Sequence, residues 1–199
     1  MTVTKRKRMP RAERERQMVD IAEGVFAERG YAAASMDDIA ELVGVSKPML
    51  YEYFTSKEGL LLACIRQSRS ALRLATEQAT TGAPDAEAAL RRGLLAFFVF
   101  IHEHRRGWAV LRQEMSFIGT PAADEVEEIR RQQTDLIAAL LGVHFDGRSD
   151  LQIEASAEFV VGACDRLAIW GERHPEVSPE EVTGYAMDVL WSGLAPRMG

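Results

Sequence analysis

The sequence predicts an all-α protein, an N-terminal three-helix head on a larger helical bundle, with about nine helices. Three observations carry this. Apolar residues recur at three- and four-residue spacing along almost the whole chain. No segment shows the period-two alternation of a half-buried strand. Turn-forming clusters cut the helical pattern at Gly44-Val45-Ser46, Thr81-Gly82-Ala83-Pro84, Gly119-Thr120-Pro121 and Asp146-Gly147-Arg148.

Helix one runs from about Arg11 to Arg29, with Met18, Ile21, Ala22, Val25 and Phe26 on one stripe, and Gly30 stops it. Ser35 with Asp38 resembles a capping box and opens a short second helix to about Val43. Ser46 caps the third, where Pro48 falls in the first turn, whose backbone donors have no partner in the helix. Ser56 caps a fourth, longer helix to about Gln78. Ala86 to His104 is apolar on nearly every face, as in a helix buried inside a bundle. Further helices are expected from about Arg105 to Phe117, Pro121 to Leu141, Asp150 to Glu172 and Pro179 to Leu194. The last opens on the capping box of Ser178 and Glu181. The division expected is a head over 1–57 and a body over 58–199.

Composition is that of a globular protein: 199 residues, 47% hydrophobic, 27% charged, with no apolar run of membrane-spanning length. The N-terminus is too basic and too poor in apolar residues for a signal peptide, so a cytoplasmic location is expected. Cys64 and Cys164 sit in apolar helical patterns and read as buried thiols rather than a redox pair. Charge is unevenly spread within a net of −6: residues 1–16 hold seven Lys or Arg against Glu13 and Glu15. A basic arm is drawn to a polyanion that an acidic body repels, and this matters only beside an element that reads DNA.

Such an element lies between Met36 and Phe54. Two short helices that cross closely need small or flexible residues at their approach, and Ala40 and Gly44 supply them. Ile39, Val43, Val45, Leu50 and Tyr53 fall where side chains bury between these helices and against helix one. An ordinary helical hairpin is the plainer alternative.

The residues Ala27-Glu28-Arg29-Gly30-Tyr31, Asp38-Ile39-Ala40 and Gly44-Val45-Ser46-Lys47 continue as Leu50-Tyr51, Tyr53-Phe54 and Ser56-Lys57-Glu58. Over about Val19 to Leu62 this pattern resembles the tetracycline-repressor (TetR) family; beyond it the likeness is architectural. The resemblance implies a homodimeric helical repressor that leaves a palindromic operator in double-stranded DNA when a small molecule binds its body.

Within that frame the short third helix can present only its first residues to base edges in the major groove. Lys47, Pro48 and Met49 are the expected readers, with Ser46 at their head. Tyr51 and Tyr53 lie where family members place hydroxyls on phosphates, although Tyr53 reads equally well as core. Lys57 adds its charge to the unpaired donors opening helix four, a candidate phosphate clamp, and Ser35 either does likewise or only caps helix two. Glu52 would repel phosphate, and is expected to point away and pair with a basic side chain. Arg6, Lys7, Arg8 and Arg11 form either a minor-groove arm or a solvated tail.

In the body, two apolar stripes suit a homodimer through the last two helices: Val182, Tyr185, Ala186, Val189, Leu190 and Leu194, and Ile153, Ala157, Val160, Cys164 and Leu167. Internal packing could account for either. Phe97, Phe98, Ile101, Trp108, Leu111, Met115, Phe117, Ile118, Phe159 and Trp170 crowd the middle helices, where they serve as core or as a pocket for an unidentified apolar effector. The polar residues among them, His102, Arg112, Glu114 and Asp165, are candidate pocket markers because buried polar groups require partners. No cofactor or metal is expected. His102 and His104 are two positions apart and do not share a helix face, and the metalloprotease, P-loop, dinucleotide and hydrolase motifs are absent. A helical enzyme or a scaffold without DNA activity is the rival reading; neither explains the pattern from Ser35 to Lys57.

Overall fold

The computed structural model describes residues 9–113, 123–144 and 149–194. The described residues form nine helices: α1 Arg11–Ala33, α2 Met36–Val43, α3 Lys47–Phe54, α4 Lys57–Thr80, α5 Ala86–Glu103, α6 Arg105–Leu111, α7 Ala123–His144, α8 Asp150–Glu172 and α9 Pro179–Leu194. Arg6, Lys7, Arg8, Glu114, Met115, Phe117, Ile118 and the turns expected at 119–121 and 146–148 lie outside the described residues.

They divide into two compact units. One holds α1 to α3, α4 as far as Ser68, and α6; the other holds α4 from Arg69, α5, and α7 to α9. The head's core is the set that periodicity picks out. Met18, Ala22 and Phe26 of α1, Ile39 of α2 and Leu50 of α3 are fully or almost fully buried with Leu60, Leu61 and Ile65 of α4. Two short helices bury too little apolar surface to stand alone, so α1 and α4 supply the rest. From α6 come Trp108, Val110 and Leu111, and Gln113 just beyond it donates from Nε2 to the carbonyl of Phe26 at 2.8 Å.

The ends of the head's helices explain its geometry. Helix α1 breaks at Gly30, which is non-helical inside the span, and one more turn follows to Ala33. Ser35 caps α2 by accepting from the Asp37 amide at 3.1 Å. The expected capping box does not close, because Asp38 pairs with Arg29 of α1 instead. Gly44 then adopts the left-handed conformation (φ 76°, ψ 37°), and its N–H and that of Val45 both donate to the Ala40 carbonyl at 3.0 Å. A side chain at this φ would clash with its own backbone, so glycine makes the turn.

In the second unit α5 packs on α7, α8 and α9, with Leu94, Phe97, Phe98, Phe100 and Ile101 buried. Capping boxes open α8, through Ser149 and Gln152, and α9, through Ser178 and Glu181. Among the described residues no helix is long and apolar enough to cross a membrane.

Candidate nucleic-acid interface and ligand cavity

Helix α3 has one side committed to the core and one open. Leu50 and Phe54 are buried, while Lys47, Pro48, Met49, Tyr51 and Glu52 are exposed. An exposed Met beside an exposed Tyr on an eight-residue helix is poor packing for a solvated surface, and it suits a helix laid against base edges. Ser46 holds the N-cap position by its backbone, accepting from the Met49 amide at 3.0 Å, but its hydroxyl makes no cap hydrogen bond. Pro48 has no N–H and the Met49 amide is taken, so the exposed Ser46 hydroxyl is what this end offers an anion.

Lys47 is engaged within the chain. Its Nζ lies 2.8 Å from Oδ2 of Asp37, in the first turn of α2, and this partner raises the lysine pKa above its ordinary value. Tyr53 is half-buried against Phe54 with the Arg11 guanidinium 4.8 Å from its ring centre, so α1 and α3 meet through a cation–π contact. Glu52 makes no ion pair with any described residue, contrary to the pairing expected of it.

Lys57 faces inward. Its Nζ donates to the carbonyls of Tyr31 at 2.7 Å and Ala34 at 3.0 Å, and lies 4.4 Å from the centre of the Tyr31 ring. These carbonyls lie at the C-terminal end of α1, so an ammonium there is favoured by hydrogen bonds and by the helix dipole. Nearby, Gly59 donates to Ser56 Oγ at 2.9 Å in the first turn of α4. A Cβ on Gly59 would stand 2.2 Å from the Phe54 carbonyl oxygen, so the join between α3 and α4 excludes every other residue. Nothing in the sequence pattern singled out this close approach.

The second unit contains a cavity among α4, α5, α7 and α8, about 650 Å³ of non-atom space counting its opening to solvent. Leu90, Leu94, Phe97, Ile137, Leu141 and Val160 supply much of its wall, and no charged side chain lines it. Its two threonines present methyls. The Thr76 hydroxyl donates to the Leu72 carbonyl at 3.0 Å and that of Thr80 to the Thr76 carbonyl at 2.9 Å. Gln133 and Val161 are shared with a second, polar cavity among Arg69, Glu127, Arg130, Arg131, Thr134 and Glu158. Cys164 also lines the apolar cavity, its thiol pushed up to about 12 by burial and so neutral at ordinary pH.

The sequence matches the description "Bacterial regulatory proteins, tetR family" over residues 19–64 and "Tetracyclin repressor-like, C-terminal domain" over residues 86–193. The chain belongs to the TetR family. A TetR-family relative, the HTH-type transcriptional activator FasR of Mycolicibacterium smegmatis, is 30% identical over 192 residues, covering 94% of this chain and 86% of FasR. Among solved structures, a TetR-like transcriptional regulator from Rhodococcus sp. RHA1 is 33% identical with a TM-score of 0.74, covering 96% of this chain and all of that one. The regulator FadR of Bacillus subtilis, solved in complex with stearoyl-CoA, shares the fold at a TM-score of 0.76 and 19% identity, covering 89% of this chain and 98% of that one. This TetR-family chain is a DNA-binding transcriptional regulator, and such regulators are not enzymes.

Of the effector-contacting residues expected from the sequence, only Phe97 among the described ones lines the TetR-family chain's apolar cavity. Phe98 and Ile101 are core, and Trp108 is buried in the head unit with α6. His102 and Arg112 are exposed, and Phe159 is 64% exposed on the outer side of α8. Asp165 is part-buried beside Arg69 and Arg130, off the apolar wall; burial raises its pKa while the two arginines pull it down. The cavity-forming residues of α4 and α7 were missed because their apolar stripes look like any core stripe. Among the described residues no three His, Cys, Asp or Glu gather as a metal site.

The stripes expected to form a dimer face are also divided. Ile153, Ala157, Val160 and Cys164 are buried within the chain, as are Val182, Ala186 and Leu190. The large apolar side chains left exposed are Leu151 and Phe159 on α8 and Tyr185 and Val189 on α9. Helix α8 has two apolar sides, and the more regular one serves its own unit. Leu167 is half-buried, and the side chain of Leu194 is outside the described residues.

Proposed function

We propose that this regulator binds a palindromic operator as a homodimer and is released from it by an apolar small molecule, acting as a repressor in the bacterial cytoplasm. The observation that carries the reading is the open side of α3, where Lys47, Pro48, Met49 and Tyr51 stand exposed together. In this reading Lys47, Pro48 and Met49 meet bases, Ser46 and Tyr51 hold phosphates, and Arg6 and Arg8 follow the minor groove. Ser35 stays a cap. Lys57 and Tyr53 position the reading helix from behind, with any phosphate contact secondary. Functionally the boundary falls at 57/58, with 1–57 reading DNA and 58–199 binding effector and dimerising.

The charge-free apolar cavity supports an apolar effector, and the stearoyl-CoA bound to FadR fits a hydrocarbon-bearing ligand. Phe159, Tyr185 and Val189 support dimerisation through α8 and α9, since these large side chains stand 64%, 49% and 69% exposed on the two helices expected to form the dimer. Release requires the effector to favour the protein state that fits DNA less well; equal affinity for both states would shift nothing. Activation is the second reading, favoured by the likeness to FasR, a transcriptional activator. DNA binding does not set the sign of regulation, which depends on where the operator lies.

Sequences selected from random DNA, titrated at two salt concentrations, test the reading. A two-fold symmetric consensus bound with steep salt dependence is expected. Absence of binding, or binding indifferent to salt, would sink it.

A further inference from the structure

We infer that the effector carries an uncharged carbonyl (ester, thioester, ketone or amide) at the end of its hydrocarbon part, and that Gln133 reads this group. The inference rests on the effector-released reading above and specifies its ligand.

Inside the apolar cavity a polar atom has few possible partners. The hydroxyls of Thr76 and Thr80 are spent on their own helix, and their Cγ2 methyls face Gly93, 3.8 and 3.3 Å from where its Cβ would be. Cys164 is a weak donor at best. Gln133 is different. Its Oε1 accepts a hydrogen bond from Arg69, and because a guanidinium has only donors, this fixes which end of the amide faces the arginine. The other end, Nε2, carries two donors at the wall between the cavities. An acceptor on the ligand is the group that matches it.

Charge selects a neutral acceptor over a carboxylate. Of the polar cavity's arginines, Arg131 is held by Glu128 at 2.7 Å and Asp135 at 3.2 Å. Arg69 and Arg130 are faced by Asp165, and Glu127 and Glu158 lie on the same wall. No positive charge is left in surplus, so an incoming carboxylate would lose its hydration and find no uncompensated cation. A carbonyl needs one good donor and loses little water. The hydrocarbon then fills the apolar cavity, and whatever the carbonyl is attached to leads into the polar one.

The test uses the full chain with decane, methyl decanoate and decanoate as probes. Binding is read from thermal stabilisation, and DNA release separately from operator anisotropy. Methyl decanoate is expected to bind roughly tenfold more tightly than decane, and more tightly than decanoate. Gln133→Leu should erase the ester's advantage while decane still binds, which also shows that the variant is folded. Ile137→Trp, filling the cavity, should abolish binding of all three. Decanoate binding more tightly than the ester, or an ester preference that survives Gln133→Leu, overturns the inference but leaves the effector-released reading standing. If none of the probes binds, the hydrocarbon assignment falls; if the ester binds but leaves operator binding unchanged, the effector-released reading falls alone.

Discussion

Asp37 Oδ2 lies 2.8 Å from Lys47 Nζ, so the acidic first turn of α2 holds the side chain that opens α3. The two groups are close because Gly44 turns the chain tightly enough to bring the first turns of α2 and α3 side by side. An exposed pair of this kind adds little to stability. Its consequence is for binding: the lysine is pre-oriented, and DNA must compete with a carboxylate for it. Asp37→Asn is therefore expected to tighten binding to random DNA by roughly twofold to fivefold, by releasing Lys47 and removing a charge that phosphate repels. Lys47→Ala should reduce the slope of log affinity against log salt by about 0.9 if the lysine reaches a phosphate. Anisotropy titrations across a salt series measure both.

Lys57 offers a separation of roles. As a cap on the carbonyls of Tyr31 and Ala34, its loss in Lys57→Met should cost about 1–3 kcal/mol of stability. The salt slope of DNA binding should change little. Urea denaturation beside the same anisotropy series decides it: an unchanged midpoint with a shallower slope would return the lysine to the DNA backbone.

Gly59→Ala should destabilise the head by about 1–3 kcal/mol, the usual cost of overpacking, because the new Cβ would meet the Phe54 carbonyl oxygen at 2.2 Å. The obstacle is backbone rather than a flexible side chain, so α3 must shift to relieve it. DNA affinity should then fall by more than the unfolded fraction explains, measured on protein shown by circular dichroism to be folded.

Val189→Asp and Phe159→Arg are expected to give monomers that keep their helical content, since both side chains are exposed in the single chain. Sedimentation equilibrium reads the dimer. Operator affinity should fall with it, because each head alone contacts one half-site. Dimers that survive both substitutions would place the interface elsewhere.

Asp165 gives a pH dependence. Burial raises its folded-state pKa above the ordinary carboxylate value despite Arg69 and Arg130. As pH rises through the unfolded value near about 4, the unfolded chain releases its proton first, so stability is lost until the folded-state pKa is passed. Asp165→Asn should remove that loss. The variant is expected to gain on the wild type from about pH 4 upward and then hold a constant advantage. Thermal melts across this range check it; a wild type that gains on the variant over the same window would reverse the sign.

The head was largely legible because its constraints are local. Ser35, Gly44 and Pro48 mark ends within a few residues of where they act, and Ile39, Leu50 and Phe26 recur at helical spacing. The lining of the apolar cavity was not, and Phe159 shows why: a large aromatic in an apolar helix has the same sequence signature whether it lines a cavity, fills a core or faces out. Trp108 carries that signature too, and it packs in the head.

By itself, then, the sequence determined the all-helical architecture and the helix-turn-helix, and it singled out Lys47, Pro48 and Met49 as the reading surface proposed above. Periodicity, caps and turn chemistry act over one or two turns of chain. Only the tertiary structure decided what those residues do with their partners. It gave Lys47 to Asp37 and turned Lys57 onto the end of α1. It also put Gln133 rather than Asp165 on the wall of the apolar cavity. These are contacts between residues 10, 26 and 64 positions apart, and packing, which no local pattern encodes, selects among the many such contacts a helical chain could make.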